Sequence, residues 1–277
     1  MDHVIERERM GHHRSARPIR WPSRHEWLAF AVQVVLVGMV QLADDVIRGN
    51  FLPPSAGEAL RNAHTLVRFE IAHGFFVEPG VQQFFQQSHH LFGVLLTWSD
   101  VEDIADSMYA ACHIGVTLLV VAWIFVRHRQ YFPLVRNTVL FVNLLALAGY
   151  QIFPLAPPRL TTGLVWHGRP FRFDDTIRPL IGVGKLHSTT IGYNPFSAMP
   201  SLHVAWALVV GAAVIFLASS WLLRCLGVLY PFIITWATVV TANHYVMDAI
   251  GAAIAVLIAA AAAGSLEWRW RHAHAWR

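Results

Sequence analysis

Long apolar runs separated by short polar connections constrain this chain more than any other feature of its sequence. Hydrophobic residues make up 55% of the 277 residues and charged residues only 14%, whereas soluble domains contain roughly a quarter charged residues. Much of the folded surface must therefore face lipid. Runs long enough to cross the hydrocarbon core as helices are predicted at about 27–43, 105–126, 135–153, 203–221, 223–241 and 246–266. The predicted fold is all-α, a polytopic membrane helix bundle of about six transmembrane helices.

Residues 56–88, between the first and second predicted spans, have a different pattern. Leu60, Ala63 and Val67 recur at helical spacing with charged residues between them, and a Pro-Gly pair interrupts the run. This pattern is typical of amphipathic helices, which lie at a membrane interface more readily than they cross it. The sequence therefore predicts an amphipathic interfacial helix pair between the first and second transmembrane helices.

Arginine residues gather in the polar segments at one end of the predicted spans. They are Arg7, Arg9, Arg14, Arg17, Arg20 and Arg24 in the N-terminal tail, Arg127, Arg129 and Arg136 in the 127–136 connection, Arg224 in the turn between the fourth and fifth spans, and Arg269, Arg271 and Arg277 near the C-terminus. Because basic loops stay on the cytoplasmic side, we expect both termini to be cytoplasmic, with the plasma membrane as the expected location. Basic residues spread in this way argue against nucleic acid as a partner.

The predicted domain organisation follows from this topology. Residues 1–26 form a cytoplasmic basic tail, residues 27–266 a single transmembrane catalytic domain, and residues 267–277 a second cytoplasmic basic tail. Polar segments next to helix ends on the opposite, extracytoplasmic side occupy residues 151–159, 197–203 and 241–248. Polar groups at this depth are unfavourable unless they are paired or functional, so the three segments predict one site.

The residue types in the first two segments suit phosphate. Ser201 and Leu202 stand at the start of the fourth span, where unpaired backbone N–H groups of a helix bind anions. His203, in that first turn, is close enough to exchange a proton with a bound phosphate ester. Arg159 provides a planar guanidinium group for phosphate oxygens.

His244 and Asp248 lie four residues apart and share a face if a helix starts near His244. A carboxylate there holds one imidazole nitrogen as N–H and leaves the other as a nucleophile. Each feature also has a simpler explanation, with His203 as a hydrogen-bonded polar residue, the His–Asp pair as a helix cap and Arg159 as a head-group anchor. Their joint order, spacing and membrane side favour one active site. Three neighbouring polar residues are expected to surround it: Tyr150, Gln151 and Asn243.

The Pro-Ser-Leu-His sequence of residues 200–203, the His-x3-Asp sequence of residues 244–248 and the Pro-Pro-Arg sequence ending at Arg159 resemble three motifs of the type 2 phosphatidic acid phosphatase superfamily. The likeness is closer to its inositol phosphorylceramide synthase-like branch, which has Leu where most members have Gly and a Pro-Pro segment in the first motif. The resemblance covers residues 105–266, the motif-bearing part of the predicted domain.

The resemblance implies an integral membrane phosphotransferase or phosphatase that acts on lipid phosphates or phospholipid head groups at the extracytoplasmic face, without metal or cofactor. It implies that His244 forms a phosphohistidine, that Asp248 orients His244 and that His203 is the general acid. Attack by water would make the protein a simple lipid-phosphate phosphatase. Attack by a hydroxyl acceptor such as inositol, a sugar or another lipid would make it a phosphotransferase, which the branch likeness and the long 160–200 loop slightly favour. A non-catalytic lipid transporter or scaffold is the alternative of another class.

The chain departs from the family pattern at two cation positions. Ile152 stands where the first motif has Lys, and Thr238 stands where the third motif has Arg. These departures weaken ordinary phosphatidate phosphatase activity more than they weaken the catalytic triad. Basic residues of the loop after the first motif are the candidates to replace the missing cations: Arg169, Arg172, Arg178 and Lys185.

Overall fold

The computed structural model of the chain describes residues 21–46, 55–91, 94–109, 113–176 and 195–274. The helices in these ranges are α1 (Arg24–Val46), α2 (Ala56–His73), α3 (Glu78–Gln86), α4 (Trp98–Ser107), α5 (His113–Arg127), α6 (Phe132–Ile152), α7 (Leu202–Leu217), α8 (Trp221–Val240) and α9 (Val246–His274). Two antiparallel hairpins pair β1 (His89–Leu91) with β2 (Val94–Leu96) and β3 (Leu164–Trp166) with β4 (Arg169–Phe171). Most of the predicted N-terminal tail lies outside the described residues.

The predicted all-α membrane-helical fold is confirmed. Three described helices are long and apolar enough to cross a membrane, namely α6 with the turn before it (Arg129–Ile152), α8, and α9 over Val246–Ala273. Helix α7 and the Ile114–Arg127 part of α5 are apolar but shorter. Their outer faces carry large apolar side chains, among them Phe216, which is 81% exposed. Because such faces are unfavourable in water, the protein is an integral membrane protein. The number of about six spans stays a prediction.

The second predicted span, 105–126, differs from the observed helices. Helix α4 already begins at Trp98, because Thr97 and Asp100 form a capping box in which each side chain accepts the backbone N–H of the other residue. Helices α4 and α5 are separate elements on either side of residues 110–112, which are outside the described ranges. The apolar run in the sequence did not reveal this capping box.

The helix pair predicted within residues 56–88 is present as α2 and α3. Gly74 ends α2 in the left-handed conformation, with φ of 74°. The buried face of α2, which includes Ala63 and Val67, packs against residues of the first and third motifs such as Ala156 and Tyr245. The pair therefore belongs to the core around the site. Its location at a membrane interface stays a prediction.

Contacts at the far end of the bundle join its basic segments. Arg129 forms an ion pair with Glu26 at the start of α1, and Asn137 donates to Glu267 near the end of α9 at 3.0 Å. Arg271 donates to the connection before α6. These contacts bring the start of α1, the start of α6 and the end of α9 together. Helix α9 continues to His274, so most of the predicted C-terminal tail is helical.

Helices α7 and α8 approach each other closely through two glycines. A Cβ atom added to Gly211 would lie 2.5 Å from the carbonyl oxygen of Gly227, and one added to Gly227 would lie 3.0 Å from the carbonyl oxygen of Gly211. Small residues at such crossings let membrane helices pack backbone to backbone. This contact fixes α7, which carries the second motif, against α8, which leads to the third.

We expect Gly211→Ala to destabilise the purified protein by about 1–3 kcal/mol, because the added methyl group must push two backbones apart. Thermal unfolding in detergent measures the effect as a lowered Tm. The matched control is Gly264→Ala in α9, where an added Cβ meets nothing within 4 Å. Equal Tm values for the two variants would contradict the close packing.

Candidate active site

The segment after α6 is fixed by backbone hydrogen bonds to the other two motif segments. The N–H of Leu155 donates to the carbonyl of Phe196 at 2.9 Å, and the N–H of Arg159 donates to the carbonyl of Ala242 at 3.0 Å. The first motif therefore lies between the second and the third. The three segments predicted to converge do so at one end of the bundle.

Pro200 of the second motif sits between α6 and α9. Two glycines provide the space, since a Cβ on Gly149 would lie 3.0 Å from Cδ of Pro200 and a Cβ on Gly251 would lie 3.7 Å from its Cβ. The buried hydroxyl of Tyr150 donates to the Pro200 carbonyl at 2.8 Å. Tyr150, predicted to border the site, thus holds the turn that enters α7.

Ser201 is the N-cap of α7, which starts at Leu202, one residue before the predicted start at 203. Its Oγ accepts the N–H of Val204 at 3.4 Å, and its own N–H donates to the carbonyl of Asp248 at 3.2 Å. Leu202 and His203 occupy the first helical positions and are half-buried. The first N–H groups of a helix have no intrahelical acceptor, so this end of α7 presents donors suited to an anion.

The turn from α8 to α9 places His244 just before α9. The carbonyl of Thr238 accepts the N–H groups of Asn243, at 3.0 Å, and of His244, at 3.1 Å. Ala242 adopts the left-handed conformation, with φ of 52°, which is unfavourable for a residue with a Cβ. The carbonyl of Ala242 is the group that accepts the Arg159 N–H, so the turn also holds the first motif.

The hydrogen bonds of His244 define which ring nitrogen carries the proton. Nδ1 lies 2.9 Å from the carbonyl oxygen of Ala198 and 3.2 Å from Oδ2 of Asp248. Both partners are acceptors, so Nδ1 is the N–H and Nε2 of the neutral ring keeps its lone pair. Asp248 is fully buried and its Oδ2 also accepts the N–H of Tyr245 at 2.9 Å.

His203 lies beside His244. The two ring centroids are 6.0 Å apart and the ring planes are inclined by 56°, which is near enough for both imidazoles to contact one phosphoryl group. The ring of Tyr109 stacks on the imidazole of His203, with centroids 4.0 Å apart and planes inclined by 19°. Tyr109 belongs to no motif, and nothing in its sequence neighbourhood indicates this contact.

Arg159 is bonded to the third motif. Its Nε donates to Oδ1 of Asn243 at 3.0 Å, and its Nη1 lies 3.4 Å from Oδ2 of Asp175. Its side chain is only 9% exposed. The predicted phosphate-binding arginine and the predicted neighbour Asn243 are therefore in contact, next to His244 in the chain. Gln151, also predicted nearby, has a buried Nε2 without a hydrogen-bond partner among the described residues.

The two positions without the expected cations differ in their surroundings. The side chain of Ile152 is 80% exposed at the end of α6, while Thr238 is buried in α8. Of the proposed replacements, Arg169 and Arg172 are exposed, and Arg178 and Lys185 lie outside the described residues. Of Arg159, Arg169 and Arg172, only Arg159 donates a hydrogen bond to a residue of the third motif, Asn243.

Two acidic residues at the site were not predicted as part of it. Oε1 of Glu78 accepts the N–H of Val246 at 2.7 Å, and Oε1 of Glu70 accepts the N–H of Met247 at 3.3 Å. Both glutamates are fully buried. The available signal was the position of Glu70, three residues after Val67 on the apolar face of an amphipathic helix. In the described part of the chain, no three His, Cys, Asp or Glu side chains form a group that could hold a metal ion.

The sequence model of the PAP2 superfamily matches residues 64–262. The chain belongs to the PAP2 superfamily. The match begins in α2 and ends in α9, so it includes all three motif segments and both buried glutamates. It confirms the predicted resemblance, and it supports membership of a family of lipid phosphatases and phosphotransferases.

A curated relative agrees with the predicted branch. The chain is similar to the phosphoinositol dihydroceramide synthase of Bacteroides thetaiotaomicron (strain ATCC 29148 / DSM 2079 / JCM 5827 / CCUG 10774 / NCTC 10582 / VPI-5482 / E50), with 26% identity over 164 residues. The matched part is 54% of this chain and 52% of the relative, so the chain spans about half the length of the relative. No solved structure shows a significant match.

We expect inorganic phosphate to stabilise the protein through Arg159. At about ten times its Kd, phosphate should raise Tm by roughly 3–6 °C, because a ligand that binds only the folded state adds about 1.4 kcal/mol. Arg159→Gln should lose most of this shift. Arg169→Gln, which changes an exposed arginine of β4, should keep it. Equal shifts in both variants would exclude Arg159 as the phosphate ligand.

Proposed function

We propose that this PAP2 protein transfers or hydrolyses the phosphoryl group of membrane lipids through a phosphohistidine at His244. The observation that carries the proposal is the hydrogen bonding of His244. Its Nδ1 is held by two acceptors, and its Nε2 is left as the nucleophile. The nearby ring of His203 supplies the acid that such a reaction needs.

In the first step, Nε2 of His244 attacks phosphorus and forms a P–N bond as the bond from phosphorus to the lipid oxygen breaks. His203, protonated at the start, gives its proton to the leaving alkoxide, and the lipid departs as an alcohol. Asp248 holds the Nδ1 proton and stabilises the positive charge that develops on the His244 ring. Arg159 and the N-terminus of α7 bind the non-bridging phosphate oxygens.

In the second step, neutral His203 removes a proton from the attacking hydroxyl group. The new P–O bond forms as the P–N bond breaks, which restores both histidines to their starting states. Water as the attacking group releases the phosphate, whereas an alcohol accepts it. The chemistry of the two histidines is the same in both cases, so the acceptor pocket decides between hydrolysis and transfer.

The number of cations favours phospholipid head groups as substrates. A phosphomonoester such as phosphatidate carries about two negative charges near neutral pH, whereas the phosphodiester of a head group carries one. With Ile152 and Thr238 at the two cation positions, a singly charged phosphate is the better match. The relative's name, phosphoinositol dihydroceramide synthase, also describes the transfer of a head group. We therefore favour transfer to a hydroxyl acceptor such as inositol, a sugar or another lipid, with simple phosphatase activity as the second candidate.

The arrangement of charges supports an extracytoplasmic site. The motif segments lie at the end of the bundle opposite the contacts of Arg129 and Arg271. Basic residues favour the cytoplasmic side, so we propose that both termini are cytoplasmic and that the site faces the outside of the plasma membrane. The reaction is proposed to require no metal, because His244, His203 and Arg159 supply the nucleophile, the acid and the positive charge.

The first experiment compares wild type with His244→Ala in detergent with EDTA, supplied with a panel of lipid phosphates and phospholipids. Both inorganic phosphate and lipid products formed with inositol, sugar or lipid acceptors are measured. We expect His244→Ala to lower kcat at least about a thousandfold, because it removes the nucleophile. His272→Ala, an exposed histidine at the far end of α9, is the control and should match wild type.

A fully active His244→Ala protein would overturn His244 as the nucleophile. Absence of both phosphate release and transfer in the wild type would instead favour the non-catalytic lipid transporter or scaffold. A covalent phosphoryl label that is stable in alkali, labile in acid and absent from His244→Ala would identify the phosphohistidine directly.

We expect Asp248→Asn to lower kcat by up to about 10⁴-fold while KM changes little. An amide at this position can donate to Nδ1, which moves the ring proton to Nε2 and removes the nucleophilic lone pair. Asp103→Asn, the same change at an exposed position of α4, is the control. Steady-state kinetics of the two variants provides the test, and similar kcat values in both would exclude Asp248 as the residue that orients His244.

A further inference from the structure

The two buried glutamates of α2 and α3 meet at the first turn of α9, next to the proposed nucleophile. We infer that Glu70 and Glu78 share one proton, and that this singly protonated pair positions His244 and Asp248 for the reaction. As a role in catalysis the inference rests on the proposed function, whereas the shared proton can be tested independently of activity.

The hydrogen bonds of the pair favour a proton between the carboxyl groups. Each Oε1 accepts a backbone N–H of α9, from Val246 to Glu78 and from Met247 to Glu70. Each Oε2 is buried without a hydrogen-bond partner among the described residues, and the two carboxyl groups interact with each other. Two carboxylates would offer only acceptors at this contact. One proton converts it into an O–H···O hydrogen bond.

The charges around the pair favour the same protonation state. Burial, followed by the neighbouring charges of Glu78 and Asp248, raises the pKa of Glu70 to about 9. Burial also raises the pKa of Glu78 to about 7. The titratable groups that interact with the pair from α9 and the turn before it are Asp248 and Tyr245. Burial raises the pKa of Tyr245 well above 10, which keeps it neutral. One negative charge on the pair matches the positive end of the helix dipole.

A second negative charge on the pair would act against the reaction. It would repel the carboxylate of Asp248, which orients His244 and already interacts with both glutamates. The pair also fixes the two N–H groups that precede Asp248 in α9, so it sets the position of the carboxylate that orients His244. Glu70 and Glu78 touch neither substrate nor reacting atoms in this scheme and are positioning residues.

The pH dependence of stability tests the shared proton. Because the pKa of Glu70 is raised from 4.5 to about 9 in the folded protein, the folded state holds a proton that the unfolded state has lost. The stabilisation is complete below about pH 4.5 and is lost as the pH rises toward about 9. Glu70→Gln cannot lose a proton, so its Tm should fall less than that of wild type over this interval. Glu58→Gln, an exposed change on the same helix, should follow wild type.

The infrared spectrum gives a second measurement of the proton. The carbonyl band of a buried protonated carboxylic acid should be present in wild type and in Glu58→Gln at neutral pH and should weaken in Glu70→Gln. Parallel Tm curves for all three proteins, together with an unchanged carbonyl band, would overturn the shared proton. This outcome does not depend on whether the protein turns over any lipid.

Kinetics tests the positioning role. Glutamine imitates the protonated member of the pair. Glu70→Gln or Glu78→Gln alone should therefore lower kcat no more than about threefold. The double variant, which removes the remaining charge, should lower kcat at least about thirtyfold. KM should change less than twofold in each variant, because neither residue binds substrate. Tm at neutral pH verifies that each variant is folded.

Two outcomes would overturn the positioning role. A double variant with the kcat of wild type would show that the pair does not act on His244. Single variants as slow as the double variant would show that both carboxylates must be charged. If the wild type itself has no activity, the proposed function fails, and the shared proton is then decided by the stability and infrared measurements alone.

Discussion

The structure depends on how the free N–H groups at the start of α9 are satisfied. A helix that begins inside a protein leaves its first N–H groups without intrahelical acceptors, and here buried carboxyl groups from three helices accept them. Glu78 and Glu70 bond to the first two residues of α9, and Asp248 bonds back to Tyr245. The same Asp248 oxygen reaches His244. The hydrogen bonds that cap α9 therefore also fix the position of His244, the proposed nucleophile.

Close packing of small residues places the other motifs around this helix start. Gly149 and Gly251 leave the space in which Pro200 sits, and the turn that follows delivers His203 beside His244. The carbonyl of Ala242, a residue in the left-handed conformation, accepts the N–H of Arg159 in the first motif. The hydrogen bonds on either side of Ala242 hold it in this unfavourable conformation, as is common at functional sites.

The sequence was sufficient to predict the helical class, the amphipathic pair and the convergence of the motif segments, because all three follow from apolar periodicity and from the alternation of helix direction. His203, His244 and Arg159 were identified from residue chemistry and motif spacing, and their catalytic roles stay predictions. Tyr109 and Glu78 could not be identified in this way, since their contacts cross long stretches of chain. Glu70 left a partial signal, because it is a charged residue on the apolar face of an amphipathic helix.

The capping of α9 from α2 and α3 has a consequence for how the molecule can be divided. A fragment of residues 105–266 would contain every motif residue but would leave the N–H groups of Val246 and Met247 in an apolar interior without acceptors. Helices α2 and α3 are therefore part of the structure that holds the motif segments. Two separately expressed fragments, divided between α3 and α4, should form the motif site only when they assemble, which makes this protein suited to split-protein complementation.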